Sequence, residues 1–110
     1  MKKVTEFLAL KGFIFSDFRK IELHKLGTKK KIEIFSGCDI KNHFISIFIV
    51  NQKSRFVIKN ALELDDLKEK LKIVEEHNFK QNILLISSEM CSKSVKQLQN
   101  LNWTIYDDFM

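Results

Sequence analysis

The spacing of apolar residues near the N-terminus predicts helices. Val4, Phe7 and Leu8 fall at helical intervals, and Gly12 can take the left-handed conformation that ends a helix. The apolar run at 13–15 is followed by Ser16 and Asp17, which are typical N-cap residues. We therefore expect a first helix that ends near Gly12 and a second, weaker helix over residues 17–25.

The middle and the C-terminal half contain runs of branched and aromatic residues that predict strands. Ser36–Asp39 has the composition of a turn. The apolar run at 44–50 is typical of a strand buried on both faces at the centre of a sheet. The predicted strands are Ile32–Phe35, Phe44–Val50, Ile83–Ile86 and Trp103–Tyr106, with a short strand-like segment at Arg55–Ile58.

Two further helices separate the last strands. One face of a helix predicted over 63–77 is lined by Leu64, Leu67, Leu71 and Val74. A shorter helix is predicted over 93–100. This order of strands and helices favours right-handed crossovers between parallel strands. We therefore predict a single compact α/β domain over residues 1–110, with a mixed sheet of about four to five strands flanked by helices.

Composition narrows the class of protein. The 110 residues are 45% hydrophobic and 30% charged, which is typical of a folded domain, and no apolar run is long enough to span a bilayer. The N-terminus does not resemble a signal peptide, so we expect an intracellular protein. The two cysteines and three histidines of the chain are scattered, which predicts no disulfide framework, no metal site and no cofactor.

The charge is distributed unevenly along the chain. Residues 1–60 contain 13 Lys and Arg against 5 Asp and Glu, whereas residues 61–110 contain 6 against 9. The basic half suggests a contact with nucleic-acid phosphates, in DNA or in a ribonucleoprotein. A solvated, lysine-rich surface explains the same excess.

Two segments are candidates for binding nucleic acid. One is the basic group Lys25, Lys29, Lys30 and Lys31, which a solvated turn explains equally well. The other is Ser92, Lys93 and Ser94, where hydroxyls and backbone N–H groups open a helix after a parallel strand. Capping of that helix by Ser92 or its neighbours is the alternative explanation.

The residues give little support for catalysis. Neither a glycine-rich phosphate loop nor a nucleophile motif is present. Nucleases of the restriction-endonuclease kind need a carboxylate on one strand and Glu-x-Lys on the next. Asp39 can supply the carboxylate, but the next strand ends in Asn51-Gln52-Lys53, with an amide in place of the glutamate. The segment Glu33-Ile34-Phe35 has the glutamate but lacks the lysine. We therefore expect no catalytic residues and a protein that is not an enzyme.

The chain resembles a domain of a known family. Residues 72–86 and 90–98 resemble the N-terminal jaw domain of the fifth subunit shared by the eukaryotic nuclear RNA polymerases, and residues 4–14 resemble its first helix. The resemblance implies a restriction-endonuclease-like fold without an active site, near the downstream DNA. Two departures stand out: Cys91-Ser92 replaces the family's threonine-proline, and the C-terminal assembly domain of the family does not follow Met110.

The resemblance implies a function in a large nucleic-acid machine. The expected role is a non-catalytic, RNA-polymerase-subunit-like component in transcription, contacting nucleic-acid backbone or neighbouring subunits, with no membrane and no small-molecule substrate. The alternative is a stand-alone factor bound to a ribosome or another ribonucleoprotein, and the second alternative is a degenerate metal-dependent nuclease. The location would be nuclear with the polymerase and cytoplasmic with the ribosome.

Overall fold

The computed structural model describes residues 2–22, 32–51, 55–75 and 79–107. Within these ranges none of the helices is both long and apolar enough to cross a membrane. The elements are α1 (Lys2–Leu10), β1 (Phe15–Ile21), β2 (Ile32–Asp39), β3 (Phe44–Val50), α2 (Ile58–Glu75), β4 (Gln81–Ile86), α3 (Ser92–Asn100) and β5 (Trp103–Tyr106).

The strands form one mixed sheet in the order β1-β2-β3-β4-β5. The pairs β1–β2 and β2–β3 are antiparallel, whereas β3–β4 and β4–β5 are parallel. The central strand β3 is buried from Ile45 to Val50, as a strand covered on both faces requires. The predicted α/β fold with a mixed sheet is therefore confirmed.

Helices cover both faces of the sheet. Both crossover helices, α2 and α3, lie on one face, which we call the α2 face, and α1 lies on the other, the α1 face. Such crossovers bury an apolar layer on each side of the sheet. The core on the α2 face includes Ile34, Phe48, Leu64, Leu71, Leu84 and Leu98, and the core on the α1 face includes Val4, Leu8, Phe35, Ile47, Ile83 and Leu85.

The helix predicted from residue 17 is wrong as far as the structure describes it, because Phe15–Ile21 is strand β1. The pairing with β2 shifts register between Phe15 and Asp17. This bulge brings Phe15 and Phe18 to the same face, with ring centroids 5.2 Å apart. Their three-residue spacing is typical of a helix and departs from the two-residue alternation of a regular strand. Ser16 donates its hydroxyl to the Cys38 carbonyl (3.1 Å) and does not act as an N-cap.

The turn predicted at 36–39 is also wrong, because β2 continues to Asp39. Gly37 is buried within the strand, where a Cβ would lie 2.5 Å from the Phe15 ring. The glycine permits close packing of an aromatic side chain and does not mark a turn. The actual turn follows Asp39, and Asn42 adopts the left-handed conformation there with φ of 66°.

The main predicted helix begins earlier than expected. α2 starts at Ile58, which is 41% exposed. Its first residue therefore does not face the core, and the pattern of buried leucines did not predict this start. Its predicted end at 76–77 lies outside the described residues. The strand-like segment at 55–58 reduces to one parallel bridge between Phe56 and Met90. The strands at 44–50 and 103–106 have the predicted bounds.

Two substitutions on α2 test the assigned core. Leu71 is fully buried, whereas Ile73 is 77% exposed. We expect Leu71→Ala to lower the free energy of unfolding by about 2–5 kcal/mol, because it leaves a cavity. Ile73→Ala is expected to change it by less than about 0.5 kcal/mol. Urea unfolding of both variants measures the difference, and equal effects would contradict the assigned orientation of α2.

Candidate active site

The two ends of the sheet bring together different polar residues. β2 and β3 are joined by the turn at 39–43, which we call the hairpin end. At the opposite end β2 begins and β3 and β4 finish, and we call this the Glu33 end. The strand register separates the two ends by six residue steps, or about 20 Å.

This topology overturns the metal site considered from sequence. Asp39 lies at the hairpin end, whereas Asn51 follows the last residue of β3 at the Glu33 end. A carboxylate at 39 therefore cannot share a metal ion with Asn51; residues 52 and 53 lie outside the described ranges. Antiparallel pairing places the start of β2, and not its end, beside the end of β3.

Asp39 instead organises the hairpin turn. Its Oδ1 accepts hydrogen bonds from the backbone N–H groups of His43 (2.8 Å) and Lys41 (2.9 Å). The N–H of His43 is the main reason why the pKa of Asp39 is lowered from 3.8; the N–H of Lys41 and the His43 ring add to it and outweigh the opposing effect of desolvation. The side chain therefore stays ionised as the acceptor that closes the turn.

At the Glu33 end a carboxylate and a lysine meet. Glu33 pairs with Ile49, so its side chain lies on the α1 face of the sheet. Lys20 of β1 approaches it with an Nζ–Oε1 distance of 3.3 Å, and both side chains are about half exposed. Continuing the β1–β2 register by one residue from Ile21–Ile34 places Glu22 opposite Glu33.

An amide and a hydroxyl complete this end. β3 and β4 are parallel, so the residues that follow them lie side by side. The Ser87 hydroxyl donates to Asn51 Oδ1 (2.9 Å), and the Ser87 N–H donates to the Val50 carbonyl (3.1 Å). Alternation along β3 places Asn51 on the same face as Ile49 and Glu33. The Glu33 end thus combines a carboxylate, a cation and a fixed amide.

Sequence reasoning passed over Glu33 because no lysine follows it on its own strand. In the structure the neighbouring lysine comes from β1. The signal that would have identified Glu33 is the length of the hairpin. Counting outward from a turn at 40–42 pairs Glu33 with Ile49, two residues before Asn51.

The predicted nucleic-acid contact at 92–94 is only partly available to a ligand. Ser92 and Lys93 are exposed at the start of α3, but Ser94 is buried. Its hydroxyl lies 2.8 Å from the carbonyl of Cys91 and 3.3 Å from that of Phe56. The N-cap is Cys91, whose Sγ accepts from the Ser94 N–H (3.3 Å). Hydrogen bonds from Ser94 lower the pKa of the Cys91 thiol.

These observations assign the N-cap of α3 to Cys91, with Ser94 buried in the same turn, and leave Ser92 and Lys93 as exposed candidates for binding nucleic acid. The other basic group, Lys25 with Lys29, Lys30 and Lys31, lies outside the described residues and stays a prediction. Among the residues that the structure describes, no three His, Cys, Asp or Glu side chains gather to hold a metal ion.

No protein-family model and no curated protein matches the chain. Three solved structures match its fold. EndoMS in its apo form is 20% identical, with a TM-score of 0.56 over 86% of this chain and 37% of that one. A repair endonuclease from Pyrococcus abyssi is 15% identical (TM-score 0.50; 82% and 38%), and an EndoMS–double-stranded DNA complex is 13% identical (TM-score 0.50; 94% and 42%).

These likenesses establish a nuclease-like fold of the restriction-endonuclease class. The chain spans about two fifths of the length of those proteins. The prediction that the chain is not an enzyme is wrong on this comparison, because one of the proteins that share its fold is described as a repair endonuclease. The comparisons do not bear on the resemblance to the RNA polymerase jaw.

The turn at the hairpin end makes a testable contribution to stability. Because the pKa of Asp39 is lowered in the folded state, its ionised form stabilises the protein above pH 3.8. This contribution is lost as the pH falls through the folded pKa. We expect Asp39→Asn to be less stable than the wild type at neutral pH, with the difference shrinking below about pH 4.

Urea unfolding of both proteins between pH 2.5 and 7 measures this difference. Asp66→Asn on the exposed face of α2 is the matched control, because it removes the same charge from a side chain that is 67% exposed. A difference that stayed constant down to pH 2.5 would contradict the assigned role of Asp39.

Proposed function

We propose that the chain is the nuclease module of a DNA-acting protein and hydrolyses phosphodiester bonds with a divalent metal ion at the Glu33 end. The observation that carries the proposal is the β2–β3 register, which sets Glu33 beside Ile49 near the end of β3, with the end of β4 one strand further along the sheet. Lys20 lies beside the carboxylate, and Asn51 lies on the same face two residues beyond Ile49. This combination of a carboxylate and a lysine is the chemistry that such nucleases use.

The residues present fit Mg²⁺ or Mn²⁺ bound jointly with DNA. Mg²⁺ is usually held by one or two carboxylates together with substrate phosphates, and not by an all-protein cage. Glu33 supplies an exposed carboxylate, and the register places Glu22 across from it. When bound, the metal ion would neutralise the charge of the phosphate and polarise it toward attack.

The side chains of this protein would position the reacting groups. The ammonium of Lys20 adds positive charge beside Glu33, where the phosphate acquires negative charge during the reaction. The hydrogen bond from Ser87 holds the Asn51 amide in one orientation, so its NH₂ group can donate to a phosphate oxygen. Lys20 and Glu33 stand on strands of the sheet, which hold such groups more rigidly than loops do, and Asn51 and Ser87 directly follow β3 and β4.

The solved structures support DNA as the substrate. Two are described as EndoMS, one of them in complex with double-stranded DNA, and the third as a repair endonuclease. We extend duplex DNA to this chain as part of the proposal. RNA polymerase or the ribosome as the larger assembly, and the nucleus or cytoplasm as the location, stay predictions from the sequence.

Removing the Glu33 charge tests the proposal. We expect Glu33→Gln to slow the Mn²⁺-dependent nicking of a labelled DNA duplex by roughly 100-fold, because it removes the carboxylate that holds the metal ion. The matched control is Glu69→Gln, which makes the same change at a half-exposed position on α2. It is expected to retain wild-type cleavage.

Circular dichroism must show that both variants remain folded. Equal cleavage by Glu33→Gln and wild type would move the active site away from the Glu33 end. If the wild type did not cleave with either Mg²⁺ or Mn²⁺, the proposed activity itself would be rejected.

A further inference from the structure

A polar cavity lies at the hairpin end, about 20 Å from the Glu33 end by strand register. It has a volume of about 240 Å³ and lies between the segment after α1, the β2–β3 turn and the start of β4. Lys41, His43, Lys80 and Gln81 contribute polar atoms to its wall, and Phe13 contributes a half-buried ring. None of these residues belongs to the proposed active site.

The cavity carries an excess of positive charge. Among the described residues, no carboxylate lies within ion-pair distance of Lys41 or Lys80. Asp39 is the acidic residue in the wall, and its Oδ1 is occupied by two backbone N–H groups of the turn. Two lysines therefore face one carboxylate that already has partners, which favours an anionic ligand.

Two further polar side chains line the same cavity. His43 Nδ1 lies 3.5 Å from Lys80 Nζ and 3.4 Å from Asp39 Oδ2, so it accepts from the lysine when unprotonated and donates to the carboxylate when protonated. Within the described part of the chain, the buried Oε1 of Gln81 has no hydrogen-bond partner. A rotation of this amide by half a turn exchanges the positions of its oxygen and its NH₂ group. The NH₂ group can then donate a hydrogen bond to an anion.

An adjoining cavity of about 170 Å³ gives the site an apolar side. It shares Phe13, Asp39 and Lys41 with the first cavity and adds the side chains of Ile14 and Ile40. Ile14 is 57% exposed and Ile40 is 65% exposed. A cationic cavity beside a half-buried aromatic ring and two exposed isoleucines matches a nucleotide, in which a phosphate is joined to a flat base.

We propose that this hairpin pocket, formed by Phe13, Lys41, His43, Lys80 and Gln81, binds one nucleotide of single-stranded nucleic acid. Lys41 and Lys80 contact the phosphate, and the base lies against Phe13. The ligand recognition rests on charge and stacking and therefore tolerates different bases. Binding here is independent of cleavage at the Glu33 end, so either site can fail its test without affecting the other.

Nuclear magnetic resonance titration of the full chain with thymidine 5′-monophosphate tests the pocket. We expect saturable shifts of the backbone amides of Lys41, His43 and Gln81. The double variant Lys41→Gln/Lys80→Gln is expected to weaken binding at least about tenfold at low salt. The control Lys70→Gln/Lys72→Gln removes equal charge from α2 and is expected to change binding less than about twofold.

Two additional ligands and one variant separate the phosphate contact from the base contact. Inorganic phosphate and unphosphorylated thymidine are each expected to bind more weakly than the nucleotide. Phe13→Leu is expected to weaken binding of the nucleotide but not of inorganic phosphate. Equal affinity for inorganic phosphate and the nucleotide, equal losses in both double variants, or shifts outside the pocket would each overturn the proposal.

Discussion

The hydrogen bonding of β3 on both of its edges is the constraint on which the rest of the structure depends. One edge pairs antiparallel with β2 and the other pairs parallel with β4. The end of β3 therefore meets the start of one neighbour and the end of the other, which brings Glu33, Asn51 and Ser87 to the same end of the sheet. Residues 45–50 are buried on both faces, so a slip of one residue would move each of their side chains into the opposite core layer.

The same constraint separates two kinds of chemistry. The Glu33 end has an exposed carboxylate beside a lysine, and the hairpin end has two lysines around an anchored aspartate. If nucleic acid contacted both the Glu33 end and the hairpin end, it would lie along the α1 face of the sheet and not at one point. The separation of about 20 Å corresponds to about six base pairs of duplex at 3.4 Å per step. The proposed nucleotide pocket would thus lie beside the bound strand and not compete with the cleavage site.

Sequence patterns predicted the buried elements well and the half-exposed ones poorly. The strand at 44–50 and the inward leucines of α2 were predictable because deep burial leaves an uninterrupted apolar signal. Strand β1 was not predictable, because its bulge places Phe15 and Phe18 on one face at a helical interval. Residue pairing across the sheet decided the candidate site. Asp39 was the candidate carboxylate in the sequence, but its side chain accepts hydrogen bonds within the turn. The lysine beside Glu33 comes from β1 and not from its own strand.

The central claim is that a divalent cation and DNA meet at the Glu33 end. The most direct measurement is paramagnetic broadening of backbone amide signals by substoichiometric Mn²⁺ in the presence of a short DNA duplex. We expect broadening at Lys20, Glu33 and Ser87, with the signals of Lys41 and His43 retained. Broadening centred on the hairpin end, or none near Glu33 at saturating duplex, would contradict it.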